Sequence, residues 1–152
     1  MTTSLTTSPA SGKRLLSIDG GGFRGLGSLL VIEAIAAAAH TLCRKPGTQP
    51  IRPCDIFDII SGSSTGGLLA VLLGRLGLDC TTAIQEYKTL SQKLFGDDRD
   101  KFMDVLTIKG AVLDPAAYEN AIADLVVKHG ENQDLPFVLS TTPAQTTQVN
   151  IY

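Results

Sequence analysis

The sequence predicts an α/β fold, with a mostly parallel central sheet flanked by helices in three layers. Residues 13–19 and 55–60 are short β-prone runs. Each leads through a glycine-rich turn into a long apolar stretch of helical composition. Strand, turn and helix, twice over, is the repeating unit of a parallel sheet, because parallel neighbours need a crossover connection. The bulk composition agrees: 43% of the 152 residues are hydrophobic and 18% are charged, enough apolar mass for one domain with a substantial core.

Residues 1–12 have no apolar h-region, so no secretory signal is predicted and they read as a disordered tail ahead of a domain at 13–152. The first strand is Lys13-Arg14-Leu15-Leu16-Ser17-Ile18-Asp19, and Gly20-Gly21-Gly22-Phe23-Arg24-Gly25 is the loop after it. Residues 26–40 are rich in Leu, Val, Ile and Ala and predict a helix. Only Ser28 and Glu33 interrupt its apolar character, so most of it is expected to be buried. A connection marked by Pro46, Gly47, Pro50 and Pro53 brings the chain to the second strand. The helix after it begins at Gly66 and is stopped by Gly74 and Gly77.

Thr82, with Gln85 three residues on, is the expected N-cap of a helix reaching about Phe95. Ile84, Tyr87, Leu90 (or Ser91) and Leu94 are expected on one face. Residues 96–101 read as a solvated charged turn. Asp114-Pro115 caps a helix over 116–129 that closes at Gly130. Further strands are expected at 135–141 and from Val149.

A net charge of −2 gives no electrostatic footing for nucleic acid. Cys43, Cys54 and Cys80 form no C-x-x-C pair, which suggests neither a disulfide framework nor a metal site and favours a reducing compartment. Glu33 and Arg75 interrupt the two longest apolar runs, so no membrane-spanning helix is expected.

The chemistry concentrates in two turns. Gly62-Ser63-Ser64-Thr65-Gly66 matches G-x-S-x-G between a strand and a helix, the context of a nucleophile elbow. Ser64 is placed at the tip of a strained turn, where Gly62 and Gly66 allow close backbone approach. The Gly20–25 loop also fits the dinucleotide fingerprint G-x-G-x-x-G, but that reading needs a carboxylate at the tip of the second strand. Asp55 and Asp58 come too early for that role, and Asp19 would repel a pyrophosphate. Both turns fall at the carboxyl ends of their strands, so the amides near Gly21 and Gly22 can face Ser64 and supply an oxyanion hole for acyl transfer. His40 and His129 are both expected at helix C-termini, away from Ser64, which argues against a Ser-His-Asp triad.

Ser17-Ile18-Asp19-Gly20-Gly21-Gly22-Phe23-Arg24-Gly25 followed by Gly62-Ser63-Ser64-Thr65-Gly66-Gly67 resembles the patatin-like phospholipase family of lipid acyl hydrolases. The resemblance implies that Ser64 is the nucleophile and that the amides of Gly20, Gly21 and Gly22 form the oxyanion hole. Asp19 is then the loop aspartate, and Arg24 and Gly25 complete the loop, with Arg24 near a phosphate headgroup. It further implies a Ser–Asp dyad, no metal, no cofactor, and a glycerolipid or phospholipid substrate met at a membrane or lipid surface. A cytoplasmic protein attached peripherally to lipid is the matching location.

The family's catalytic aspartate lies in an Asp-Gly-Gly or Asp-Gly-Ala motif, and none follows Ser64 here. A serine without its base loses on the order of 10⁴ in rate. The expectation is therefore the N-terminal portion of a hydrolase, incomplete at the C-terminus and weakly active or inactive alone, with the dyad aspartate past Tyr152. The alternative is a catalytically degenerate module kept for lipid binding or interaction.

Overall fold

The computed structural model describes residues 12–43, 49–95, 115–130 and 148–151. In chain order these form β1 (Leu15–Ile18), a 3-10 turn (Gly22–Arg24), α1 (Gly25–Cys43) and a single turn α2 (Pro53–Ile56). Next come β2 (Ile59–Gly62), α3 (Thr65–Ala70) running directly into a π turn (Val71–Arg75), α4 (Cys80–Phe95), α5 (Pro115–Lys128) and β3 (Gln148–Ile151). The strands lie in the order β1-β2-β3 and are parallel throughout. Leu15 pairs with Ile59 and Ile18 with Gly62 on one side of β2, and Ile59 pairs with Gln148 and Gly62 with Ile151 on the other. The parallel α/β arrangement expected from the two strand–turn–helix units is the one observed.

The second strand starts later than its apolar run suggested. Residues 53–56 wind into a helical turn because Pro53 at the first helical position presets φ and Arg52 caps it. The Arg52 N–H donates to Asp55 Oδ2 at 3.0 Å, and the guanidinium pairs with Asp55 Oδ1 at 3.0 Å. Asp58 then fixes where pairing with β1 begins: its Oδ2 accepts the Arg14 N–H at 2.8 Å and lies 3.3 Å from Arg14 Nε. The Arg14 backbone N–H, and after it the Arg14 side chain, hold the Asp58 carboxyl below its ordinary pKa.

Helix α3 and its π turn carry the core. They contact all three strands, while α1 and α4 pack on each other and on this helix. Leu69, Leu72 and Leu73 are completely buried, together with Ile60 of β2 and Leu29 of α1. The π turn is closed by the Leu76 N–H donating to the Val71 carbonyl at 2.9 Å. Gly74, expected as a helix stop, lies inside the turn and lets it sit against the sheet. A Cβ there would be 2.5 Å from Val149 Cγ2. The turn back comes instead at Gly77, with φ 60°.

Helix α1 departs from expectation in its burial. Leu29, Ile32 and Ala36 face the core, but Leu30 is 51% exposed, Val31 61%, Ile35 43% and Leu42 85%. Apolar residues encircle this helix, and only one stripe of it can meet α3 and α4. By length and composition alone α1 is long and apolar enough to cross a membrane, so Glu33 does not break the run as expected. The Glu33 carboxylate instead accepts a hydrogen bond from the Thr81 hydroxyl at 3.3 Å, tying α1 to α4.

Asp79, rather than Thr82, caps α4. Its carboxylate accepts the Thr82 N–H at 3.0 Å and the Thr82 hydroxyl at 2.6 Å. A charged acceptor satisfies two donors at once and also suits the positive end of the helix. Ile84, Tyr87 and Leu90 are buried as expected. Helix α5 begins at Pro115 and ends before Gly130, whose φ is 79°. The expected turn at 96–101, the Asp114 cap and the strand at 135–141 lie outside the described residues.

Candidate active site

Strand β2 ends at Gly62 and α3 begins at Thr65, which leaves two residues to turn extended chain into helix. Ser64 takes the strain of that reversal, with φ 53° and ψ −124°. Among the described residues it is the only one other than glycine with a positive φ. Such a conformation costs on the order of 1–3 kcal/mol and persists only where the surroundings enforce it.

The surroundings here are backbone. A Cβ on Gly62 would overlap the Gly66 carbonyl group, and one on Gly66 would overlap the Ile18 carbonyl oxygen. The turn therefore rests on the end of β1. The Ser63 N–H donates to the Ile18 carbonyl at 3.3 Å, the Gly66 N–H to the Ser63 carbonyl at 2.8 Å and the Leu68 N–H to the Ser64 carbonyl at 3.2 Å. The Ser64 side chain is exposed and makes no capping bond to α3.

The first glycine loop lies directly against this turn. The Gly20 N–H donates to Ser63 Oγ at 3.3 Å, and a Cβ on Gly20 would be 3.0 Å from Ser64 Cβ. Gly22 has φ 54°, and the Arg24 N–H closes the loop onto the Gly21 carbonyl at 3.1 Å. Gly25 begins α1 beside the Ser64 turn, where a Cβ would be 2.7 Å from Thr65 Cγ2. Gly20, Gly25, Gly62, Ser64 and Gly66 are thus brought together, with Gly21 and Gly22 following in the same loop. Asp19 and Arg24 flank it and are exposed.

One contact had no counterpart in the sequence reading. Tyr87, assigned only to the buried face of α4, donates its hydroxyl to the Gly22 carbonyl at 2.7 Å. Helical spacing identifies it as inward-facing but says nothing about where its oxygen ends up.

The other candidates for chemistry lie away from this turn. His129 Nε2 lies 3.2 Å, and Lys128 Nζ 2.7 Å, from Glu86 Oε1, where they join α5 to α4. Burial pushes the Glu86 carboxyl up, but the hydrogen bond from Lys128 and the adjacent His129 ring outweigh it and hold the group below its ordinary pKa. His40 falls in the last turn of α1. Burial, with Glu33 and Asp79 nearby, pushes the Cys80 thiol up to about 11, which keeps it protonated and poorly nucleophilic. Among the described residues no group of three or more His, Cys, Asp or Glu could hold a metal ion.

The sequence pattern described as Patatin-like phospholipase matches residues 16–151, a span that contains both turns. The chain belongs to the patatin-like phospholipase family. This patatin-like chain is 33% identical over 93 residues to Phospholipase A I of Arabidopsis thaliana, covering 61% of the chain and 6% of that protein. It is 29% identical over 136 residues to Calcium-independent phospholipase A2-gamma of Homo sapiens, covering 86% of the chain and 16% of that protein. To the cGAMP-activated phospholipase of Escherichia coli it is 43% identical over 58 residues, 38% of the chain and 15% of that protein. The aligned stretch therefore spans no more than about a sixth of these relatives. No solved structure matches the chain significantly.

Proposed function

We propose that this chain carries the nucleophile and oxyanion loop of a lipid acyl hydrolase that cleaves acyl esters of glycerolipids or phospholipids. The observation that supports it is the backbone of Ser64, held at φ 53° where β2 meets α3, with Gly20 packed against it. An ordinary serine-containing turn would relax out of this conformation. A hydroxyl displayed on a strained tip and not spent on capping suits nucleophilic attack. The phospholipase names of the relatives point to the same substrate class.

In this reading Ser64 Oγ adds to the ester carbonyl carbon, and the carbonyl π electrons move onto its oxygen. That oxyanion is met by the N–H groups of Gly20, Gly21 and Gly22, a contribution on the order of 10²–10³ in rate per donor. The Gly20 N–H also bonds Ser63 Oγ, at a length of 3.3 Å, and a full oxyanion is a stronger acceptor than a neutral hydroxyl. Collapse of the adduct expels the alcohol, which takes up the proton lost by serine, and water then hydrolyses the acyl-serine. In this reading the proton is relayed by a carboxylate base, an aspartate expected downstream of Tyr152. Among the described residues no carboxylate is hydrogen-bonded to the Ser64 hydroxyl. Asp19 supports the loop and Arg24 meets the headgroup phosphate. Substrate arrives from a lipid surface to which the protein attaches peripherally from the cytoplasm.

The test is labelling with an alkyl fluorophosphonate, located by peptide mass spectrometry, on this chain and on one extended past Tyr152. Labelling confined to Ser64 and abolished in Ser64→Ala is expected. Unchanged labelling in Ser64→Ala, or none in the extended chain, overturns the reading. Vesicle binding without labelling would instead identify a degenerate binding module.

A further inference from the structure

We propose that Tyr87 is a positioning residue for the oxyanion loop, its hydroxyl on α4 setting the direction of the Gly22–Phe23 peptide. This deepens the hydrolase reading and rests on it. Three successive glycines have almost no conformational preference of their own, so Gly20–22 cannot aim their N–H groups unaided. The loop needs an outside constraint, because an oxyanion donor must be held to within about 0.5 Å and 10–20°.

Tyr87 supplies that constraint from 65 residues away in sequence. It is 4% exposed and donates to the Gly22 carbonyl at 2.7 Å, a well-formed O–H···O bond. A planar trans peptide points its C=O and N–H in opposite directions. Drawing the Gly22 carbonyl toward α4 therefore fixes the peptide plane that closes the Gly20–22 run and anchors the end of the stretch that carries the donor N–H groups. It also holds Gly22 at φ 54°, and with it the turn that the Arg24 N–H closes onto Gly21. The same hydroxyl oxygen bounds the start of α1, since a Cβ on Gly25 would lie 3.0 Å from it. The phenol thus bonds one end of the 3-10 turn and borders the first residue of α1 that follows it. Burial raises the Tyr87 pKa, against a hydrogen bond from the Ser91 side chain, so the hydroxyl remains a donor at neutral pH.

A side chain that only filled the core would change stability without changing transition-state alignment. The two roles separate in the kinetics of Ser64 modification by an alkyl fluorophosphonate in the chain extended past Tyr152, the probe's phosphoryl oxygen occupying the oxyanion position. Tyr87→Phe keeps the ring and removes the donor. The expected result is a maximal inactivation rate lowered about 10-fold, with the half-saturating probe concentration within twofold of wild type.

Amide hydrogen exchange in a Ser64→Ala background reads the loop independently of reactivity. There Tyr87→Phe is expected to speed exchange at residues 20–24 about 10-fold while the core amides of α3 stay unchanged. Equal inactivation rates in wild type and Tyr87→Phe overturn the proposal, as does unchanged exchange at residues 20–24. A chain extended past Tyr152 whose Ser64 never reacts overturns the hydrolase reading instead, and the exchange result then still decides whether Tyr87 sets the loop.

Discussion

Replacing Ser64 with glycine should make the protein more stable while removing the proposed nucleophile. Ser64 holds φ 53° and ψ −124°, a region open to glycine and costly to other residues. Relieving that strain returns about 1–3 kcal/mol. The greater freedom of glycine in the unfolded chain takes back about 0.5–1 kcal/mol. The Ser64 side chain is exposed, so little packing is lost. The balance is a gain of about 1 kcal/mol, or a rise of roughly 2–4 °C in thermal midpoint for a chain of this size. Ser64→Ala is the matched control, because alanine loses the hydroxyl but keeps the strain. Scanning calorimetry or urea titration of the two variants side by side isolates the backbone contribution. A glycine variant no more stable than the alanine variant would refute the claim that this turn stores strain, and the elbow assignment would lose its main support.

Gly66→Ala should destabilise by about 3 kcal/mol or more, since the new methyl overlaps the Ile18 carbonyl and no side chain can move aside. Gly27→Ala, in α1 with nothing within 4 Å of its Cβ, should stabilise by roughly 0.5–1 kcal/mol, and urea midpoints compare the two directly. Glu86 has its pKa lowered in the fold, so its contribution is complete above the unfolded value and is lost as pH falls through the lower folded value. Urea midpoints measured from pH 7 to 3 should therefore decline less steeply in Glu86→Gln than in wild type. Cys43 is exposed whereas Cys80 is buried with its thiol pushed up to about 11, so a thiol reagent should modify Cys43 in the native protein and Cys80 only after unfolding.

The two glycine-rich turns were legible because they are local. Glycines at fixed offsets between a β-prone and a helical run dictate backbone that few other sequences can follow. Sequence patterning also gave the inward face of α4, since helical spacing is local too. It failed where a single polar contact chose between alternatives. Arg52 and Asp55 fold residues 53–56 into a turn that the hydrophobic run hides, and Asp79 outcompetes Thr82 for the α4 N-terminus. The burial of α1 was misjudged for a different reason: an apolar helix does not announce how many neighbours it will find. Tyr87 illustrates the widest gap, because its bond to Gly22 depends on how α4 lies across the start of α1.

The register of the sheet also orders events in time. Residues 59–62 pair on one side with 15–18 and on the other with 148–151, so β2 waits for the very end of the described chain to find its second neighbour. Closing the shorter span first costs less entropy, and distant parallel pairings form slowly. During synthesis the β1–β2 ribbon and the Ser64 turn should assemble early, leaving one side of β2 with an open ladder until residues 148–151 leave the ribosome. That interval is when misassociation with another nascent strand is most probable, and when a chaperone would have the most to protect.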